Sequence, residues 1–158
     1  MLTMQEALER AIEAERQGAA FYRMVAKMTD DPEAQAFLAE MADEEDQHAE
    51  TLSAMARGEQ AHDIDWSRIL RLADSDEAAQ AAGGQDDGDA TMDLREAVEI
   101  ALESEKHAAY TYACMGSETR GEIQELFTNL ALTEQHHAEM LQGLLAKLNG
   151  GDVGEASV

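Results

Sequence analysis

The sequence predicts an all-α protein in which four long helices pack as a bundle. Its composition is typical of helices: it contains one proline and 4% aromatic residues, whereas strands favour β-branched and aromatic residues. A helical hairpin occurs in two copies, and each of the four helices carries an apolar stripe at helical spacing. These three observations favour a pair of duplicated helical hairpins.

The repeat is visible when two pairs of segments are aligned. EALERAIEAERQGAAFY (6–22) matches EAVEIALESEKHAAYTY (96–112) at an offset of 90. EEDQHAETL (44–52) matches TEQHHAEML (133–141) at an offset of 89. Because only two copies are present, the chain is expected to be a duplicated unit and not a solenoid.

The first hairpin comprises predicted helices at 3–28 and 31–57. The first helix opens with Thr3 and Glu6, which have the spacing of a capping box. The second opens at Asp31, a capping residue that a proline follows at the first helical position.

The second hairpin comprises predicted helices at 93–115 and 118–149. Asp93 and Glu96 repeat the capping-box spacing at its start. Gly116 stands where a glycine commonly ends a helix, and a glycine pair follows the last helix.

The whole bundle is expected to form one domain over residues 1–150, followed by a polar flexible tail at 151–158. The hairpins are separated by residues 58–92, which are too many for a tight turn between neighbours. We expect a crossover that runs the length of the bundle, as in ferritin-like folds. Within it, residues 66–72 are amphipathic enough for a short helix, and residues 83–91 are acidic and rich in glycine.

Charge and cysteine content narrow the function classes. The net charge is −23, which argues against a nucleic-acid or membrane-surface partner because phosphates would be repelled. No apolar run approaches the roughly 20 residues that span a bilayer, and the first residues lack the pattern of a secretory signal. Cys114 is the single cysteine, so a disulfide, a CxxC site or a thiolate-bound cluster within one chain is excluded. We therefore expect a cytoplasmic protein.

Carboxylates interrupt the apolar stripe near the middle of every predicted helix, and in two helices a histidine follows three residues later. These residues are Glu15, Glu45 with His48, Glu105, and Glu134 with His137. A buried, unpaired carboxylate costs several kcal/mol, so four of them call for compensating cations. Two divalent ions would bring that charge, and a Glu-x-x-His pair presents both ligands on one helix face. Ferritin-like di-iron and di-manganese proteins use such a set, so we expect a di-metal centre.

The pattern E-x6-Y followed by E-x-x-H-A-E, used twice, resembles the rubrerythrin-like branch of the ferritin-like superfamily. The resemblance extends over residues 3–149. It implies a ferritin-like four-helix bundle in which Glu45 and Glu134 bridge two metal ions. Glu15 and Glu105 would then be terminal ligands, one for each ion.

The resemblance also assigns the histidines and two tyrosines. His48 and His137 would each hold one metal. Tyr22 and Tyr112, two turns beyond the terminal glutamates, would be hydrogen-bond donors behind the ligands. The alternative for the tyrosines is that they are amphipathic core residues.

The chain departs from its relatives at several positions. Ala108 stands where familiar rubrerythrins carry a second glutamate, which is used when the iron shifts with its redox state. Glu44 has the place of an acid that orients a histidine across the site, but Thr133 replaces it in the other half, which allows the two metals to differ in affinity. Asp46 and Gln135 follow the bridging glutamates where bacterioferritin has its haem-binding methionine, so no haem is expected.

Oxygen-rich coordination suits iron or manganese better than zinc. The resemblance therefore implies a di-iron oxidoreductase that reduces hydrogen peroxide or O₂. One cysteine cannot form a rubredoxin-like domain, so the electrons would come from a separate rubredoxin-like protein or flavoprotein. The alternatives are a ferroxidase in iron storage or delivery and a non-enzymatic di-metal sensor or structural protein. Because ferritin-like bundles commonly bury a further helix face, we expect at least a homodimer.

Overall fold

A computed structural model describes residues 4–58 and 92–150, which form four α-helices. The helices are α1 (Met4–Ala26), α2 (Pro32–Gly58), α3 (Leu94–Glu118) and α4 (Glu122–Leu148). α1 packs along α2 and α3 packs along α4, so that each predicted hairpin is formed. No strand occurs among the described residues, and the predicted all-α four-helix bundle is confirmed.

Contacts between the hairpins establish the direction of each helix. As α1 runs from Glu15 to Tyr22, its hydrogen-bond partners on α3 run back from Tyr112 to Glu105. α1 and α3 are therefore antiparallel, and α2 and α3 point the same way. α3 begins at the end of the bundle opposite to the end where α2 stops, which is the arrangement that a long crossover serves.

Several predictions fall on residues outside the described part of the chain. They concern the crossover between the hairpins, its short helix at 66–72, its acidic segment at 83–91 and the tail at 151–158. The capping role predicted for Thr3 also lies outside the described residues. All of these stay predictions. Among the described residues, none of the four helices contains an apolar stretch of the length that a bilayer span requires.

The apolar core is divided into two clusters, one at each end of the bundle. One cluster is centred on Leu8, Leu52, Met115 and Phe127. The other is centred on Val25, Leu38, Val98 and Leu141. Burying each such side chain contributes about 1.5–3 kcal/mol. Along every helix the core-facing glutamate lies between the two clusters, so the apolar ends enclose a polar middle layer.

The start of α3 confirms the predicted capping box. Oδ1 of Asp93 accepts a hydrogen bond from the backbone N–H of Glu96 at 2.8 Å. Oε2 of Glu96 accepts one from the backbone N–H of Asp93 at 3.2 Å. Two N–H groups that have no partner within the helix are thereby satisfied.

Replacing Asp93 with alanine is expected to lower the free energy of unfolding by about 1 kcal/mol, because the cap acceptor is lost. For a domain of this size that corresponds to a fall of roughly 2–4 °C in Tm. Asp93→Ser keeps an acceptor and should lose only a few tenths of that effect in a parallel thermal melt. An equal loss in both variants would contradict the role of the cap.

Gly116 does not end its helix, contrary to the sequence prediction. α3 continues to Glu118, and the hydroxyl of Thr119 closes the helix by donating to the carbonyl of Met115 at 2.8 Å. A Cβ atom on Gly116 would lie 3.2 Å from Oγ1 of Thr128 on α4. The glycine therefore permits the close approach of α3 and α4.

The last helix is shorter at its start than the sequence predicts. α4 begins at Glu122, not at residue 118, because Gly121 has a φ of +65°, a left-handed conformation that favours glycine. At the other end Gly150 has a φ of +82°, as predicted for a glycine that follows a helix.

Candidate metal centre

The structure brings the six predicted ligand residues into one layer at the middle of the bundle. They are Glu15 on α1, Glu45 and His48 on α2, Glu105 on α3, and Glu134 and His137 on α4. All are buried except His48, whose side chain is 13% exposed. The Glu-x-x-His spacing puts the glutamate and histidine of α2, and those of α4, on the core face one turn apart.

The ligand atoms fall into two overlapping groups, and within each group they lie within 4.8 Å of one another. The first group comprises Glu15, Glu45, His48 and Glu134. The second group comprises Glu45, Glu105, Glu134 and His137. Glu45 and Glu134 belong to both groups, which is the arrangement that carboxylates bridging two ions require.

Both imidazoles direct Nδ1 toward the centre. Nδ1 of His48 lies 2.9 Å from Oε1 of Glu134 and 3.3 Å from Oε2 of Glu15. Nδ1 of His137 lies 3.0 Å from Oε1 of Glu45. The two rings are stacked with centroids 5.9 Å apart, and each belongs to one of the two ligand groups.

Several polar atoms at the centre have no hydrogen-bond partner. They are Oε1 of Glu45, both carboxylate oxygens of Glu134, and Nδ1 of His137. Nδ1 of His137 is close to Oε1 of Glu45, and Nδ1 of His48 is close to Oε1 of Glu134, but neither pair has the geometry of a hydrogen bond. Each unsatisfied buried group costs about 1–3 kcal/mol, and a charged one costs more. Two divalent cations would satisfy these atoms and balance four carboxylates, so the residues fit a di-metal centre.

Burial changes the titration of the carboxyl groups. It raises the pKa of Glu45 and of Glu105, and contacts with His137 counteract this only in part. Burial also raises the pKa of Glu134, but contacts with His137 and His48 have the larger effect. The pKa of this carboxyl group is therefore lowered overall.

On the histidines, burial acts in the direction opposite to its effect on the carboxyl groups. Burial lowers the pKa of His48, but contacts with Glu134 and Glu15 raise it overall to about 10. Burial likewise lowers the pKa of His137, and the surrounding carboxylates raise it well above its ordinary value. In the metal-free protein the imidazoles therefore carry protons, and a metal ion that binds them must displace these protons.

The two tyrosines donate hydrogen bonds across the bundle. The Tyr22 hydroxyl donates to Oε1 of Glu105, and the Tyr112 hydroxyl donates to Oε1 of Glu15. Burial and the adjacent carboxylates raise the pKa of both phenols, so both remain neutral donors. Each tyrosine thus contacts, on the other hairpin, the glutamate that belongs to only one ligand group, a pairing that the sequence order does not reveal.

One half of the centre has a carboxylate behind its histidine. Oε2 of Glu44 lies 2.5 Å from Nε2 of His137, in agreement with the expected orientation of a histidine across the site. At the equivalent position of the other half, the Thr133 hydroxyl donates to the carbonyl of Asn129 in its own helix at 3.0 Å.

Gly18 borders the centre, although nothing in the repeat or in the ligand pattern points to it. A Cβ atom there would lie 3.4 Å from Oε2 of Glu45. The signal was a glycine in a helix interior, where it costs about 1 kcal/mol relative to alanine. A contact of that length is an ordinary van der Waals contact, so Gly18 borders the shared carboxylate but a methyl group would fit there.

Comparison with known proteins adds one positive finding. The family model Rubrerythrin matches residues 6–68 and 96–156. These two segments include most of the chain and all six residues of the centre. No curated protein and no solved structure gives a significant match to the chain.

Proposed function

Because the chain belongs to the rubrerythrin family, we propose that it holds two iron ions and reduces hydrogen peroxide or O₂. The observation that carries this proposal is the pair of overlapping ligand groups with Glu45 and Glu134 in common. The set contains more oxygen than nitrogen donors, which suits iron or manganese better than zinc. Manganese and zinc are the competing metals.

Two ferrous ions would supply one electron each, so that H₂O₂, two electrons and two protons yield two water molecules. Glu45 and Glu134, which belong to both ligand groups, would hold both ions. The hydroxyls of Tyr22 and Tyr112 orient the terminal glutamates. The apolar clusters on either side limit the access of water, and the partly exposed His48 lies where a small oxidant can approach.

We propose that the protein receives its electrons from a partner. The electrons would come from a separate donor of the rubredoxin or flavoprotein class, since one cysteine cannot supply an internal rubredoxin-like site. We also propose a cytoplasmic protein that assembles at least as a homodimer, without haem.

The test is an anaerobic titration of the metal-free protein with Fe(II), followed by separate exposure to H₂O₂ and to O₂. We expect saturation at two ions per chain, as the two ligand groups require, and a faster change of near-ultraviolet absorbance with peroxide. Saturation far from two ions would contradict the di-metal centre. Saturation at two ions without oxidation would contradict the redox function and favour a sensor or structural role.

A ferroxidase is the competing function, because a net charge of −23 attracts ferrous ions. It would react rapidly with O₂ and continue to take up iron beyond two ions per chain. Light scattering separates the two functions further, since a large cage would favour iron storage and a dimer would favour the redox enzyme.

A further inference from the structure

The two halves of the centre differ behind the histidine ligands although the sequence repeats them. Glu44 and Thr133 occupy equivalent positions of the repeat, each one residue before a shared glutamate. Glu44 contacts Nε2 of His137 at 2.5 Å. Thr133 instead donates to the backbone of Asn129 in its own helix.

This difference changes the imidazole as a ligand. A carboxylate only accepts hydrogen bonds, so Nε2 of His137 must carry the hydrogen that Glu44 receives. Nδ1, the atom that points into the centre without a hydrogen-bond partner, is then the one that binds metal. Such a carboxylate orients the ring, selects the tautomer and raises the basicity of the ligand, and its removal typically costs 10–100-fold in metal affinity.

The two histidine side chains also differ in their exposure to solvent. The side chain of His137 is fully buried, whereas that of His48 is 13% exposed. The His48 half is therefore the one from which solvent or a chelator can reach a bound ion.

We infer that the two metal positions are inequivalent and fill in order. The position at Glu105 and His137 fills first and holds its ion about 10–100-fold more tightly. The position at Glu15 and His48 fills second and exchanges its ion more readily. This inference rests on the proposed di-metal centre but not on its redox chemistry.

A redox-independent titration tests the order. The metal-free full chain is titrated anaerobically with Co²⁺ in the presence of a competing chelator, and ligand-field absorbance reports each step. We expect two steps whose affinities differ by at least about 10-fold. A paramagnetically shifted, exchange-protected proton from Nε2 of His137 should appear in the NMR spectrum at the first equivalent.

Two reciprocal substitutions test whether Glu44 and Thr133 cause the difference in metal affinity between the two positions. Glu44→Thr gives both halves a threonine and should weaken the first step about 10–100-fold, so that the steps merge. Thr133→Glu supplies the missing acid and should strengthen the second step while the first is unchanged. Asp43→Thr and Gln135→Glu make the same changes of charge at exposed neighbouring positions, and both should leave the two steps within about 2-fold of wild type.

Substitution of the ligands identifies which position fills first. His48→Gln should retain the tight step, and His137→Gln should lose it. Retention of the tight step in His137→Gln, two equal steps in the wild-type chain, or equal weakening of both steps in Glu44→Thr would each overturn the inference. Because Glu44 is 39% exposed, the Glu44→Thr variant is expected to fold. If it does not, Thr133→Glu tests the inference independently. Equal steps would leave the proposed function intact, whereas absence of Co²⁺ binding would overturn both.

Discussion

The Glu134→Ala variant is expected to bind neither metal ion, although it loses only one of four carboxylates. Glu134 belongs to both ligand groups, and its two oxygens are buried without hydrogen-bond partners. Removing it therefore takes an oxygen ligand from each position at once. The measurement is the metal content per chain after anaerobic Fe(II) titration and desalting.

Two matched variants make this expectation specific. Glu139→Ala removes an exposed carboxylate from the same helix and should retain two ions. Glu15→Ala removes a residue that belongs to one group only and should retain one ion. If Glu134→Ala still held two ions, Glu134 would not be a bridging ligand and the assignment of the centre would fail.

Metal loading is expected to raise Tm by roughly 10–20 °C. An ion at 100 times its Kd stabilises the folded state by about 2.7 kcal/mol for each site. Two sites therefore contribute about 5 kcal/mol, and each kcal/mol shifts Tm by roughly 2–4 °C in a domain of this size. Thermal denaturation with Fe(II) or Co²⁺ under anaerobic conditions measures the shift. A shift of zero at saturating metal would contradict binding to the folded state.

The same melts should show a pH dependence confined to the metal-free protein. Folding raises the pKa of His48 from 6.5 to about 10, so its stabilising effect is full below pH 6.5 and is lost as pH rises toward 10. Glu45 and Glu105 also have raised pKa values, so their burial becomes more costly as the unfolded state ionises above about pH 4.5. All three groups lower stability with rising pH, and metal ions should suppress this loss by displacing the protons.

The expected observation is a Tm of the metal-free chain that falls between pH 7 and pH 10. His48→Gln should flatten this fall, because one of the responsible groups is removed. His136→Gln, which alters an exposed imidazole on α4, should leave the fall unchanged. A Tm that rises with pH over this interval would have the wrong sign for the proposed network.

For the described residues, the sequence by itself determined the four helices, most of their bounds and the side chains that face the core. These properties depend on local spacing: a 3.6-residue period places Glu45 and His48 on one face whatever the neighbouring helix does. The duplication then indicated that the same pair recurs at Glu134 and His137. Glutamates within an apolar stripe indicated chemistry because burial of unpaired charge is costly.

Only the tertiary structure decided how the core-facing sides of the four helices meet. The antiparallel arrangement of α1 and α3 places Tyr22 against Glu105 of the other hairpin and not beside the glutamate of its own helix. Gly116 is a contact between α3 and α4 instead of a helix end. Such distances depend on how the helices pack and rotate against one another, which depends on the whole set of core side chains and not on any local spacing.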